Sequence, residues 1–165
     1  GDYAIKFWNG PEGSLHDFSI SEDRIEVKSS SSANPRIKVS RTLQLIPLED
    51  GKLYLHLVRI NQGSGITISE MINQVRDMIS QESYRIAFQR KLSYLGNDED
   101  FLNFQQLFQL DTHTFTEVNE STPILHMNIL QQFPPSISEI VYSLDADQLG
   151  FTEVSDFFWD NLHTH

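Results

Sequence analysis

Asp17 and the triplet Glu26-Val27-Lys28, with eight residues between them, form the combination in this chain best suited to chemistry. Two carboxylates held a few ångströms apart on a rigid sheet attract a hard divalent cation, which prefers oxygen ligands; Mg²⁺ would keep several waters there. The carbonyl of Val27 could be a further ligand. Such a cation lowers the pKa of a bound water and neutralises charge growing on a phosphate, while Lys28 could orient the attacking water or steady the pentacoordinate state. Those are the requirements of phosphodiester hydrolysis. The acid-x-Lys spacing alone says little, because about 0.7 such matches are expected by chance in a chain of this composition. A second match, Asp50-Gly51-Lys52, falls in a turn-forming stretch and reads as ordinary structure.

Register is what separates the first match from the second. Leu15 to Ile20 and Arg24 to Lys28 both alternate, and Ser21, Glu22 and Asp23 suit a tight connection between them, so the two segments read as a hairpin. Side chains alternate across a strand, which puts Glu26 and Lys28 on one face. The pairing that satisfies both faces sets Asp17 opposite Lys28 and Ser19 opposite Glu26, with Phe18 opposite Val27 and Ile20 opposite Ile25 on the apolar side. A three-residue loop without a bulge would separate Asp17 from Glu26. The plainer alternative makes Asp17, Ser19, Glu26 and Lys28 the wet face of an amphipathic hairpin, with an exposed ion pair worth only ~0–1 kcal/mol.

The remaining elements must hold this hairpin. Tyr3 to Trp8, aromatic and branched, reads as a strand ended by Asn9, Gly10 and Pro11. Ser29 to Asn34 is a polar run suited to an exposed loop. Arg36 to Pro47 is open between a strand and, over Ser40 to Leu45, a helical turn. After Glu49-Asp50-Gly51, the apolar run Leu53 to Ile60 predicts a central buried strand. Helical spacing follows from Thr67 to about Gln81, capped by Thr67 or Ser69, and again from Ser83 to Leu95, with Gly96 as the stop. Asp98 to Phe104 suits a short turn. Gln105 to Leu110, Thr112 to Val118 and Ile137 to Leu144 read as strands, and Val154 to Leu162 as a short helix.

At 165 residues the chain is about one domain long. It has no run apolar enough to cross a bilayer. The absence of Cys excludes disulfides and thiolate chemistry and fits the cytoplasm. Gly1 reads as the start of a trimmed fragment, and His163 and His165 as a tail. The net charge of −11 opposes nucleic-acid binding until its distribution is considered. All 12 Lys and Arg residues lie at or before Lys91, and 12 of the 23 acids lie after it. Arg24, Lys28, Arg36, Lys38 and Arg41 surround the single acid Glu26, a stretch that could approach a phosphate backbone. His16 should point away from Asp17 and serve packing, His113 and His126 lack metal-ligand spacing, and Tyr94, Phe101, Phe104 and Phe108 suit core packing better than base stacking.

Trp8-Asn9-Gly10-Pro11, His16-Asp17-Phe18 and Ile25-Glu26-Val27-Lys28-Ser29-Ser30 together resemble the PD-(D/E)XK nuclease superfamily. More narrowly, they are similar to the bacterial restriction-associated PD-(D/E)XK motif proteins. The likeness extends loosely through Leu43-Gln44-Leu45, the strand Leu53 to Val58 and the helix after it, about half the chain. The resemblance implies that Asp17 and Glu26 bind Mg²⁺ or Mn²⁺, that Lys28 is catalytic and that Gln44 is an auxiliary residue near the site. There are two departures: His16 stands where the superfamily's name has Pro, and the acid-bearing helix that the family places before its first strand is not visible ahead of Tyr3.

The expected fold is therefore α/β, a restriction-endonuclease-like mixed sheet flanked by helices, with residues 1–96 as the core and 97–165 as an acidic, β-rich extension. The expected function is Mg²⁺-dependent DNA cleavage in bacterial restriction or phage defence. The extension would face away from DNA or bind a protein partner. The rival expectation is a non-catalytic module that keeps the scaffold for protein assembly.

Overall fold

Leu53, Leu55 and Leu57 alternate with Tyr54 and His56, and this alternation builds the strand around which the molecule is arranged. The computed structural model describes residues 2–137 and 139–153. In chain order its elements are α1 (Asp2–Phe7), a 3-10 turn (Gly10–Glu12), β1 (Phe18–Ile20), β2 (Asp23–Ser30), β3 (Arg36–Val39), β4 (Leu53–Ile66), α2 (Ile68–Met78), α3 (Glu82–Ser93), α4 (Asp98–Asn103), β5 (Phe108–Val118), α5 (Met127–Leu130), β6 (Tyr142–Asp145), a second 3-10 turn (Ala146–Gln148) and β7 (Thr152–Glu153). The main sheet has the order β1-β2-β4-β5-β7. β2 and β4 run parallel; β1 with β2, β4 with β5 and β5 with β7 are antiparallel. This is the mixed α/β, restriction-endonuclease-like sheet flanked by helices. Among the described residues no helix is long and apolar enough to cross a membrane.

The two faces of the sheet have different roles. A small sheet of β3 and β6 covers one face, where Ile37 and Val39 pack with Leu45, Leu53, Leu55, Leu57, Val118 and Ile124. Glu26 pairs with Leu55 and Lys28 with Leu57 across the parallel ladder, so both charged residues lie on this covered face. The other face carries Ile25 and Phe115, with Phe18, Ile20, Val27 and Tyr54 around them. A separate cluster joins α1 to the helices, where Ile5 meets Ile79, Phe88 and Leu92.

Several expectations are corrected. Tyr3 to Trp8 is a helix through Phe7, not a strand, because burying Ile5 against α3 outweighs the β-forming composition; strand character survives only in the bridge from Trp8 to Phe18. The hairpin turns at Ser21 and Glu22, with Ile20 opposite Asp23 and Phe18 opposite Ile25. Ser21 accepts a φ of +52°, which seats the two-residue turn at Ser21 and Glu22 and shifts each pairing partner by two positions from that expected. Phe18 therefore does not face Val27, and Asp17 stands level with Glu26 instead of Lys28. The loop is still two residues long, so the faces are preserved. The two strands expected over Gln105 to Val118 are one, β5, in which Asp111 is taken up at a bulge between Arg59 and Ile60. The strand expected over Ile137 to Leu144 is confined to Tyr142–Asp145. The expected helix Val154 to Leu162 lies outside the described residues. Arg36 to Pro47 resolves as β3 followed by a turn at 42–45.

Gly51 anchors the hairpin turn to β4. Its φ is +78°, and a Cβ there would stand 2.3 Å from the Glu22 carbonyl oxygen. Nearby, the Arg24 amide donates to the Lys52 carbonyl at 2.8 Å, and the Lys52 amide donates to Asp23 Oδ1 at 2.8 Å. Gly51→Ala is expected to destabilise the fold by about 2 kcal/mol, combining an unfavourable φ with displacement of the turn. Urea denaturation measures this, and an unchanged midpoint would contradict it.

Candidate active site

Asp17 is set by backbone geometry on both sides. Its carbonyl oxygen accepts the amides of Asn9 at 2.7 Å and Gly10 at 3.0 Å, and its carboxylate Oδ2 accepts the Val27 amide at 2.8 Å. Gly10 lies so near that a Cβ would stand 2.4 Å from Asp17 Oδ1. The side chain is thus enclosed between the first turn of the chain and strand β2.

Glu26, in the middle of β2, is only 2% exposed. Its Oε1 lies 2.6 Å from Lys28 Nζ, and its Oε2 is buried with no hydrogen-bond partner. Burial pushes its carboxyl up to about 7, the Asp17 charge adds to the rise, and the Lys28 ammonium opposes it. Lys28 Nζ also donates to Gln44 Oε1 at 3.2 Å. Gln44 comes from the turn after β3, and its backbone oxygen accepts His16 Nε2 at 3.1 Å. Asp17, Glu26, Lys28 and Gln44 therefore converge, linked directly or through the Val27 amide. Val27 contributes that amide, and its side chain belongs to the opposite face.

These residues suit a hard cation held by few protein oxygens and completed by water. The partnerless Glu26 Oε2 beside a second carboxylate is the observation that fits. Among the described residues no group of three or more His, Cys, Asp or Glu is arranged around a metal site. A helix does precede the first strand, contrary to expectation, but its acid Asp2 accepts the Ser80 amide at 2.8 Å and the Ser80 hydroxyl at 2.6 Å. The next acid, Glu12, is engaged by Arg90 at 3.0 Å and Lys91 at 3.1 Å.

His16 was expected to point away from the site, but it lies beside the cluster, buried, with its Nε2 on the Gln44 carbonyl oxygen and its pKa lowered by burial. The remaining candidates lie apart. His113 sits beside His56, whose ring stacks on Phe115 at 4.0 Å and whose pKa is lowered by burial to about 4. His126 Nε2 donates to the Thr122 carbonyl. Of the aromatic group only Phe101 joins a core; Tyr94 and Phe104 stay exposed. Sequence reasoning missed Asn9 and Gly10 as supports of Asp17, and also the Glu12–Lys91 pair. The Asn-Gly-Pro turn signal preceding Asp17 was the one available clue to the first two.

A mixed sheet presenting an Asp and a Glu-x-Lys on one covered face defines a restriction-endonuclease-like protein. A family model named DUF4420, described as "Putative PD-(D/E)XK family member", matches residues 1–147, and the chain belongs to that family. No curated protein and no solved structure matches it.

Proposed function

We propose that this chain is a Mg²⁺-dependent DNA endonuclease acting in bacterial restriction or phage defence, in the cytoplasm. The observation that carries the reading is the buried, partnerless Oε2 of Glu26, one residue from the Val27 amide that holds Asp17, on a carboxylate whose other oxygen, Oε1, lies 2.6 Å from Lys28 Nζ. Asp17 and Glu26, with the Val27 carbonyl, would hold Mg²⁺ or Mn²⁺. When bound, that cation supplies charge neutralisation at the phosphate and a more acidic water. Lys28 Nζ, fixed between Glu26 and Gln44, orients the attacking water and stabilises the negative charge gathering on the phosphoryl oxygens. Gln44 keeps Lys28 in that position.

Charge supports a polyanionic substrate. Among the described residues none of Arg24, Arg36, Lys38 and Arg41 is within ion-pair distance of a carboxylate. Arg24 and Arg41 each donate to backbone carbonyls, of Ser21 and Asp23 and of Gly13 and Ser14, whereas Arg36 and Lys38 lie exposed on β3, open to phosphates. In this reading the part of the chain after Lys91, whose β5 and β7 complete the main sheet, turns its acids from DNA toward a protein partner. With Mg²⁺ the protein should nick supercoiled plasmid, and with excess chelator it should not. Plasmid left intact under both conditions would overturn the reading in favour of a non-catalytic assembly module.

A further inference from the structure

We infer that the pair formed by the buried Lys91 and the more exposed Glu12 is a latch that positions Asp17 through the Trp8–Gly10 bend. The inference rests on Asp17 being a working site residue, as proposed above, but its geometry stands independently of that. Lys91, on α3, is 4% exposed, and its ammonium donates to the Trp8 carbonyl oxygen and lies 3.1 Å from Glu12 Oε2. Those two contacts grip the chain on either side of Asn9 and Gly10. The amides of Asn9 and Gly10 are the two that hold the Asp17 carbonyl, and Gly10 is the residue against which Asp17 Oδ1 is set. Arg90 holds the other oxygen of Glu12 at 3.0 Å, so the carboxylate is fixed at both ends.

A cation 74 positions along the chain from Asp17 thereby determines where the Asp17 carboxylate meets the Val27 amide. Lys91 and Glu12 are positioning residues in this arrangement and need not approach substrate. A purely structural Lys91 would tie α3 to the first turn and leave strand β2 indifferent to its loss.

The test is a Lys91→Met, Glu12→Gln double variant, which removes both charges so that no ammonium is buried without its partner. In the metal-free, ¹⁵N-labelled protein the Val27 amide reports directly on its bond to Asp17 Oδ2. Its proton resonance should move upfield and its hydrogen exchange should quicken, while Mn²⁺ affinity, measured by titration calorimetry, falls about tenfold or more. Gly10→Ala, which displaces Asp17 Oδ1 itself, should produce the same upfield shift. A folded double variant with an unmoved Val27 amide overturns the latch. If the double variant does not fold, Glu12→Gln alone, which keeps the Lys91 bond to Trp8, should give a smaller shift in the same direction, and no shift there overturns it too. Wild-type protein that binds no Mn²⁺ would defeat the nuclease reading and leave the Val27 amide to decide the latch.

Discussion

Lys28→Ala is expected to slow Mg²⁺-dependent plasmid nicking by about 10²–10³-fold with the fold retained. The ammonium is the cation of the cluster, 2.6 Å from Glu26 Oε1 and 3.2 Å from Gln44 Oε1. Its removal has two consequences that can be told apart. Charge on the phosphoryl group loses its stabiliser, a deficit that persists however much Mg²⁺ is added. Glu26 also loses the group that holds its proton affinity down, which weakens cation binding at neutral pH. Raising the pH and saturating with Mg²⁺ should restore the second loss and leave the first. Single-turnover nicking rates at pH 7 and pH 9 make the separation. Full rescue at pH 9 would reduce Lys28 to a tuner of Glu26.

Between about pH 4.5 and 7, wild-type protein without metal should lose stability relative to Glu26→Gln, on the order of 3 kcal/mol across the window. Glu26 binds its proton more tightly folded than unfolded, so in that range the folded state carries more protons at this position, and raising the pH favours unfolding. The loss is complete above about 7. His56 works in the opposite direction, because its pKa is lowered to about 4 and stability therefore rises from there to about 6.5. The wild-type curve alone would thus be flattened, and the difference between wild type and Glu26→Gln isolates the carboxyl. Urea unfolding at pH 5, 6, 7 and 8 should show the gap widening with pH, and a constant gap would contradict a buried Glu26 of raised pKa. Cation affinity should climb over the same range, since only the ionised carboxylate is a good ligand.

The mixed α/β sheet was legible in the sequence, and so was the placing of Asp17, Glu26 and Lys28 on one face of it; the reason for the latter is parity. A strand alternates with period two, so any even loop between β1 and β2 puts Asp17, Glu26 and Lys28 on one face. The register was two positions off because Ser21 takes a left-handed conformation that its residue type does not announce. Strand β4 was readable from its run of Leu, and α2 from its spacing and the capping box of Thr67 with Glu70. Helix α1 was not, because six residues rich in aromatic and branched side chains fit either period, and the burial of Ile5 that decides the matter comes from Phe88 and Leu92 far along the chain. The contacts of Gly10 with Asp17 and of Glu12 with Lys91 are tertiary facts of the same kind.

Titration calorimetry of Mn²⁺ into the chain at pH 8, beside an Asp17→Asn, Glu26→Gln double variant, addresses the cluster most directly. One saturable cation site in the wild-type protein and none in the variant is the expected outcome. Equal binding by the two proteins, or none by either, would contradict a metal-dependent nuclease centre built on Asp17 and Glu26.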